Sequence, residues 1–236
     1  FIKMKKKILC IIPARKGSKG LRNKNFLFFD KKPLIYYPLL NSTKIKKINK
    51  IIFSSDSAKY IKFVKEKFHN IDIRLRGKRL SNDNSKTFDV IKDVIKFYEK
   101  KNNKFDIIIL LEPTSPLTNI KMINDSLNIL LKNFNRIDSL IPVVNLPKFD
   151  KSFLIKLKNN MFTGKNFPNN TRRQTKNAYF LSGNFYISKV SSYLKNKGFY
   201  SNKTYAYHVD KKYYSDIDDI YEFKEAEFKK KYFKLG

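Results

Sequence analysis

Short apolar runs that close on polar turns, each followed by a stretch of helical spacing, recur along this chain. That rhythm restricts the fold more than any other feature. Ile8-Leu9-Cys10-Ile11-Ile12, Ile51-Ile52-Phe53 and Ile107-Ile108-Ile109-Leu110-Leu111 have the length of buried strands and fall far short of a membrane span. Residues 71–75 alternate as a strand does, and residues 139–144, 183–187 and 204–209 predict further strands. Between these, Ile61, Val64 and Phe68 share one helical face within residues 59–68. Phe88, Ile91, Val94, Ile95 and Tyr98 do the same within residues 87–98. Pro33 is placed to open a helix carrying Leu34, Ile35, Tyr36, Leu39 and Leu40. Residues 122–131 and about 221–232 predict two more helices. Strands alternating with helices imply βαβ units with right-handed crossovers, and therefore an α/β fold with a largely parallel sheet.

Sheets of this kind bind ligands beyond the carboxyl ends of their strands. The loop Arg15-Lys16-Gly17-Ser18-Lys19-Gly20-Leu21-Arg22-Asn23-Lys24-Asn25 follows the first apolar run. Its glycines allow a sharp turn that opens backbone amides to an anion, and Arg15, Lys19, Lys24 and the Ser18 hydroxyl add donors. The spacing is neither that of a P-loop nor that of the dinucleotide fingerprint. By itself it fits a phosphate cradle or a solvated basic turn. The Arg76-Gly77-Lys78-Arg79 segment and the Glu112-Pro113-Thr114-Ser115-Pro116 turn also follow predicted strands, so all three are expected at one edge of the sheet.

The 236 residues suit one large domain, and 42% hydrophobic content is enough for a packed core. Residues 148–176 interrupt the α/β rhythm and read as an excursion from that domain. The formal charge of +31 raises nucleic acid as a partner. The lysines, however, are spread along the whole chain beside abundant Asn, Ile, Phe and Tyr, residues that share AT-rich codons. A binding patch should cluster, so a nucleic-acid partner is not expected. Cys10 is the single cysteine and lies in an apolar run, which excludes an intrachain disulfide. No apolar run is long enough for a membrane span, and a cytoplasmic protein is expected.

Asp216 and Asp218 are one residue apart, so an extended segment projects both carboxylates to one side, a ready site for a hard cation such as Mg²⁺. Asp218 or Asp219 could equally cap the helix that follows. Arg172-Arg173-Gln174 offers a guanidinium fork for a carboxylate, or a solvated turn. Phe199 and Tyr200 fit either a pocket wall or the core. His69 and His208 have no Ser or Cys neighbour that would make a triad.

In order along the chain, Ile11-Ile12-Pro13-Ala14-Arg15 through Asn25, Leu75-Arg76 with Leu80-Ser81-Asn82-Asp83, Leu111-Glu112-Pro113-Thr114-Ser115-Pro116-Leu117, Asp138-Ser139, Arg172-Arg173-Gln174, Gly183 with Tyr186, and Asp216-Ile217-Asp218 closely resemble the motifs of the acylneuraminate cytidylyltransferases. The resemblance implies a Rossmann-like three-layer nucleotidyltransferase fold on a mixed, mainly parallel sheet. It implies that CTP activates a nine-carbon 2-keto sugar acid (sialic, legionaminic, pseudaminic or related) to its CMP-sugar with release of pyrophosphate, for bacterial surface glycans. It makes Ala14, Arg15, Gly17, Ser18, Lys24 and Asn25 nucleotide-binding, with Arg15 and Lys24 at the phosphates and Asn25 at the nucleoside, and it places Arg76, Ser85 and Thr87 near the cytosine and ribose. Glu112, Arg172, Gln174, Tyr186, Phe199 and Tyr200 fall in the sugar pocket, and Asp216 and Asp218 hold Mg²⁺. Arg15, Lys24, Asp216 and Asp218 are the implied catalytic set, with Asp218 a candidate to take the hydroxyl proton. A homodimer is implied too, with residues 148–176 as its dimerisation element. Glu112 departs from the Gln that many sialic acid enzymes carry, and a carboxylate there repels the carboxylate of a sugar acid unless it is neutralised or meets an amine or hydroxyl. Lys16 and Ser182 depart from a common Gly and a common Asn. An eight-carbon sugar acid or another nucleotide is the alternative within this chemistry.

Overall fold

A computed structural model describes residues 6–17, 20–82, 84–154, 156–159, 161–163 and 177–235. The strands are β1 (Ile8–Pro13), β2 (Phe28–Phe29), β3 (Lys32–Pro33), β4 (Lys50–Ser55), β5 (Asp72–Leu75), β6 (Ile107–Leu110), β7 (Ser139–Asn145), β8 (Lys156–Lys158), β9 (Met161–Thr163), β10 (Tyr179–Leu181), β11 (Tyr186–Lys189) and β12 (Thr204–His208). The helices are α1 (Tyr36–Lys44), α2 (Ala58–Lys67), α3 (Thr87–Glu99), α4 (Ile120–Lys132), α5 (Val190–Asn196) and α6 (Ile220–Tyr232).

β1 lies at the middle of the main sheet, parallel to β4 on one side and to β6 on the other, and β5 extends the β4 side in parallel. On the other side the sheet becomes mixed. β11 runs antiparallel to both β6 and β7, β10 pairs antiparallel with the carboxyl half of β7, and β12 adds to β7 in parallel. The α/β fold with a mixed, mainly parallel sheet is therefore present, although β6 has only one parallel neighbour.

Alternation along the buried strands sorts their side chains into two layers. Ile8, Cys10, Ile12, Ile107 and Ile109 face the helical residues Leu39, Val64, Ile123 and Leu127 of α1, α2 and α4. Leu9, Ile11, Ile52, Ile108 and Leu110 face Ile91, Val94 and Ile95 of α3 and Tyr193 of α5. This is the doubly wound, three-layer arrangement. Cys10 is fully buried, and desolvation raises its thiol pKa far above the ordinary range, so it is an inert core residue.

Two expected elements begin later than the sequence suggests. Pro33 does not open a helix. It closes the β2–β3 hairpin, paired with Phe28, and α1 starts three residues on at Tyr36. The hairpin turn uses Asp30 and Lys31, both in the left-handed region (φ 44° and 66°), without the Asn-Gly pair that would advertise it. The strand expected from Gly183 begins only at Tyr186, because Gly183 adopts φ 70° and bends the chain between β10 and β11. Both strands thus follow the same edge of β7 as one interrupted track.

Candidate active site

The neighbours of β1 lie on opposite sides of it, so the chain leaves β1 and β6 toward opposite directions and a crevice opens beyond their carboxyl ends. A cavity of about 430 Å³ occupies that crevice, lined by Arg15, Gly17, Gly20, Lys24 and Asn25 after β1, Arg76 after β5, Leu80, Ser85, Thr87 and Val90, Glu112, Pro113 and Thr114 after β6, and Asp218. The three segments expected to converge do so.

Hydrogen bonds set the basic loop. Ala14 is buried, and its amide donates to the Ser54 carbonyl at 2.9 Å, continuing the β1–β4 ladder by one residue. Asn25 is buried and donates through Nδ2 to the Arg15 carbonyl at 3.0 Å, which closes the loop across its base. Lys24 turns its Nζ to Asp218 Oδ1 at 2.5 Å, and the side chain of Asp218 is 78% exposed. Gly20 lies so close to this partner segment that a Cβ would meet the Asp218 carbonyl oxygen at 2.2 Å. Ser18 is outside the described residues.

On the opposite wall, Arg76 is buried and donates from Nε to Ser54 Oγ at 2.9 Å and from Nη2 to the Ser54 carbonyl at 2.8 Å. Desolvation lowers its pKa to about 10, against the opposing pull of Asp56 and Glu112. The Ser85 hydroxyl donates to the Arg79 carbonyl at 2.9 Å, so this loop is internally braced before Thr87 begins α3.

Asp216 and Asp218 line adjoining cavities. Ile217 between them is fully buried, which turns both carboxylates out of the core. Asp218 then faces the main cavity, whereas Asp216 lines a smaller, adjoining cavity of about 150 Å³ with Tyr214 and Lys229. Burial and the Asp218 charge raise the pKa of Asp216. The helix cap is a third residue. Asp219 accepts from the Glu222 amide, and Glu222 reciprocates to the Asp219 and Asp218 amides, a capping box that leaves the carboxylates of 216 and 218 uncommitted to α6.

Of the residues expected around the sugar, Glu112 lines the main cavity, but Tyr186, Phe199 and Tyr200 do not. Phe199 is buried in the α3–α5 layer, 5.2 Å from Tyr186 and 4.7 Å from Tyr193 by ring centroids, and Tyr200 is 56% exposed. Arg172 and Gln174 are outside the described residues. Sequence reasoning missed Ser54, which carries no motif yet anchors both Arg76 and the end of β1. It also gave no role to Thr114 and Ser115. The Asp219-x-x-Glu222 box was readable from its spacing alone.

A protein-family model described as cytidylyltransferase matches residues 9–235. The chain belongs to the cytidylyltransferase family. It is 31% identical over 229 residues to an N-acylneuraminate cytidylyltransferase of Escherichia coli, covering 94% of this chain and 52% of that protein, so it spans about half the length of that relative. It is 27% identical over 232 residues to a pseudaminic acid cytidylyltransferase of Campylobacter jejuni, covering 98% of this chain and 97% of that protein. Among solved structures, a CMP:2-keto-3-deoxy-manno-octonic acid synthetase complexed with CTP superposes with a TM-score of 0.66 at 12% identity, covering 94% of this chain and 97% of that one, a likeness of fold. The sequence resemblance to the acylneuraminate cytidylyltransferases, and the expectation of a transferase, are thus upheld.

Glu112 is the residue of this family member whose titration matters most. Burial, Asp216 and Asp218 raise its pKa to about 7, against the pull of Arg76 and Lys24. The folded chain therefore holds a proton that the unfolded chain releases near pH 4.5, and stability falls as pH rises between about 4.5 and 7. Glu112→Gln removes this liability. Chemical denaturation at pH 5 and pH 8 should show the variant gaining stability over the native chain as pH rises, by of order 2 kcal/mol once solvent access to the cavity is allowed for.

Proposed function

We propose that this cytidylyltransferase transfers CMP from CTP to the anomeric hydroxyl of a nine-carbon 2-keto sugar acid. The hydroxyl oxygen bonds to the α-phosphorus, the bond from that phosphorus to the bridging oxygen breaks, and pyrophosphate leaves. The observation that carries this reading is the convergence of Arg15, Lys24, Arg76, Glu112 and Asp218 on one cavity at the switch point of a chain whose relatives are named for sialic and pseudaminic acids. A CMP-N,N'-diacetyllegionaminic acid synthase of Legionella pneumophila, 29% identical over 192 residues, extends the same substrate class. A nucleic-acid role leaves this ordered cavity unexplained.

In this reading Arg15, Lys24, Gly17 and Ser18 take the triphosphate and Asn25 the nucleoside, and Arg76, Ser85 and Thr87 face the base and ribose. Phosphoryl transfer needs mainly positioning and neutralisation of charge, which the two cations at the loop supply. Glu112, Arg172, Gln174, Tyr186, Phe199 and Tyr200 form the sugar side. Asp218 takes the hydroxyl proton.

Asp216 and Asp218 suit Mg²⁺. Their donors are carboxylate oxygens, and a hard cation of this size is commonly held by one or two carboxylates with substrate phosphates completing the shell. Among the described residues there is no group of three or more His, Cys, Asp or Glu that could hold a metal. When bound, the cation neutralises charge on the reacting phosphate oxygens.

A homodimer is the proposed assembly. All three residues of β10 are exposed, Phe180 packs its ring at 5.3 Å and a tilt of 34° against Phe149, itself 42% exposed, and Leu154 and Met161 are exposed as well. An apolar face of this kind marks an interaction surface. Phe149, Leu154 and Met161 belong to residues 148–176, the proposed dimerisation element of the single domain. A cytoplasmic location is proposed with it, where CTP is available as substrate. Among the described residues no helix is long and apolar enough to cross a membrane.

Pyrophosphate release measured with CTP, Mg²⁺ and a panel of nine-carbon and eight-carbon sugar acids tests the reading, with ATP, GTP and UTP as controls. Turnover with CTP and a nine-carbon acid alone is expected. Turnover only with an eight-carbon acid or another nucleotide would replace the proposal with the alternative.

A further inference from the structure

Ser54 and Arg76 meet at the carboxyl ends of β4 and β5. Arg76 lines the main cavity, and Ser54 does not. By alternation along β4, the Ser54 side chain falls on the sheet face of Ile52, which packs on α3. It is fully buried there, a hydroxyl directly after the apolar run Ile51-Ile52-Phe53. Arg76 donates from Nε to the Ser54 Oγ at 2.9 Å and from Nη2 to the Ser54 carbonyl at 2.8 Å, and its amide donates to the Ser55 carbonyl at 2.9 Å. Backbone and guanidinium of Arg76 are thus tied to two successive residues of one strand. Nε and Nη2 share one edge of the planar guanidinium, so Ser54 takes that edge whole. The outer edge, Nη1 with the second hydrogen of Nη2, makes no hydrogen bond among the described residues. The Ser54 carbonyl is held by the sheet, since it also accepts the Ala14 amide at 2.9 Å. The hydroxyl is therefore the part of this clamp that the identity of residue 54 supplies.

We propose that Ser54 is a positioning residue for base selection, whose hydroxyl sets the rotation of the Arg76 guanidinium so that its outer edge offers two parallel donors to the nucleobase. This rests on the reading of Arg76 as a group that faces the base. Two parallel donors fit cytosine, whose O2 and N3 are adjacent acceptors. Uracil presents O2 beside an N3–H, so the same edge meets one acceptor and one donor. A site built for one hydrogen-bond pattern rejects the analogue that leaves its buried donors unpaired. Arg76 is only 8% exposed, so water does not replace the missing partner. Without the hydroxyl, Nε is released and the guanidinium can turn about its remaining bond to the carbonyl. The positive charge stays at the cavity, but the match to cytosine is lost.

The test measures binding of CTP, UTP and tripolyphosphate by calorimetry, with Mg²⁺ present throughout, to the native chain, Ser54→Ala, Arg76→Lys and the double variant. Tripolyphosphate reports the phosphate side without a base. The native chain should prefer CTP. Ser54→Ala should lose about tenfold in CTP affinity, with UTP and tripolyphosphate within about twofold of native. Arg76→Lys removes the outer edge and should abolish the preference. Adding Ser54→Ala to it should then change nothing further, because the hydroxyl acts only through the guanidinium. Native CTP affinity in Ser54→Ala, an equal loss for all three ligands, or additive losses in the double variant overturns the inference. A native chain without preference, or a preference retained in Arg76→Lys, instead overturns the placing of Arg76 at the base. If Ser54→Ala does not fold, Ser54→Cys is read in its place, since a thiol is a weak acceptor. The same selective loss of CTP affinity is expected.

Discussion

Gly20→Ala should lower kcat/KM for pyrophosphate release by about 100-fold while lowering thermal stability by only a few degrees. The added methyl would stand 2.2 Å from the Asp218 carbonyl oxygen, about 1 Å inside the closest contact those atoms tolerate. The loop and the 216–219 segment must therefore separate. Gly20 is exposed, so the loop can swing outward at little cost to the core. The same movement separates Lys24 from Asp218 and displaces the backbone that carries Arg15. A displacement of 1 Å at reacting groups costs far more in rate than in folding. Steady-state kinetics and a melting curve on one preparation check both halves. Native turnover in Gly20→Ala would mean that loop and carboxylate segment need not touch during the reaction.

Lys24→Met should cost about 100- to 1,000-fold in turnover, the range found when one preorganised donor is taken from developing charge. Its effect on stability should be within about 1 kcal/mol. The pair it makes with Asp218 is close, but the aspartate side chain is 78% exposed, and exposed pairs contribute little. Methionine keeps the length of the side chain and most of its packing, so the loss reports the charge. Single-turnover kinetics at saturating CTP separates a binding defect from a chemical one. A variant whose activity is restored by raising CTP alone would assign Lys24 to ground-state binding and leave the transition state to Arg15 and the cation.

Much of the fold was legible because its strands are buried on both faces. Ile8 to Ile12 and Ile107 to Leu111 needed no partner to be recognised as strands, and α3 announced itself by the 3.6-residue spacing of Phe88, Ile91, Val94, Ile95 and Tyr98. The nucleotide-side cavity was legible for a related reason. Loops after parallel strands emerge at one sheet edge, so the order of Arg15, Arg76 and Glu112 along the chain already implied their meeting. The hairpin at Asp30–Lys31 was not legible, since both residues occupy a left-handed conformation that their side chains do not advertise. The bend at Gly183 was likewise hidden. Glycine permits φ 70° without requiring it, and the antiparallel track along β7 supplies the requirement.

At the site, the sequence by itself determined which groups are available. It contains a basic glycine loop, a Pro-Thr-Ser-Pro turn, and carboxylates at 112, 216 and 218. The spacing of 216 and 218 suggested that they act from one side, and tertiary structure sets them at two adjoining cavities. Asp218 follows Lys24 to the main cavity, and Asp216 lines the adjoining one with its carboxylate packed close to Gly183. The elevated pKa of Glu112 was equally a tertiary decision, because it arises from burial beside charges brought from β5, the basic loop and the segment before α6. Local spacing fixes where a side chain starts. Hydrogen-bond partners a hundred or more residues away fix where it ends, and those partners exist only once the sheet has assembled.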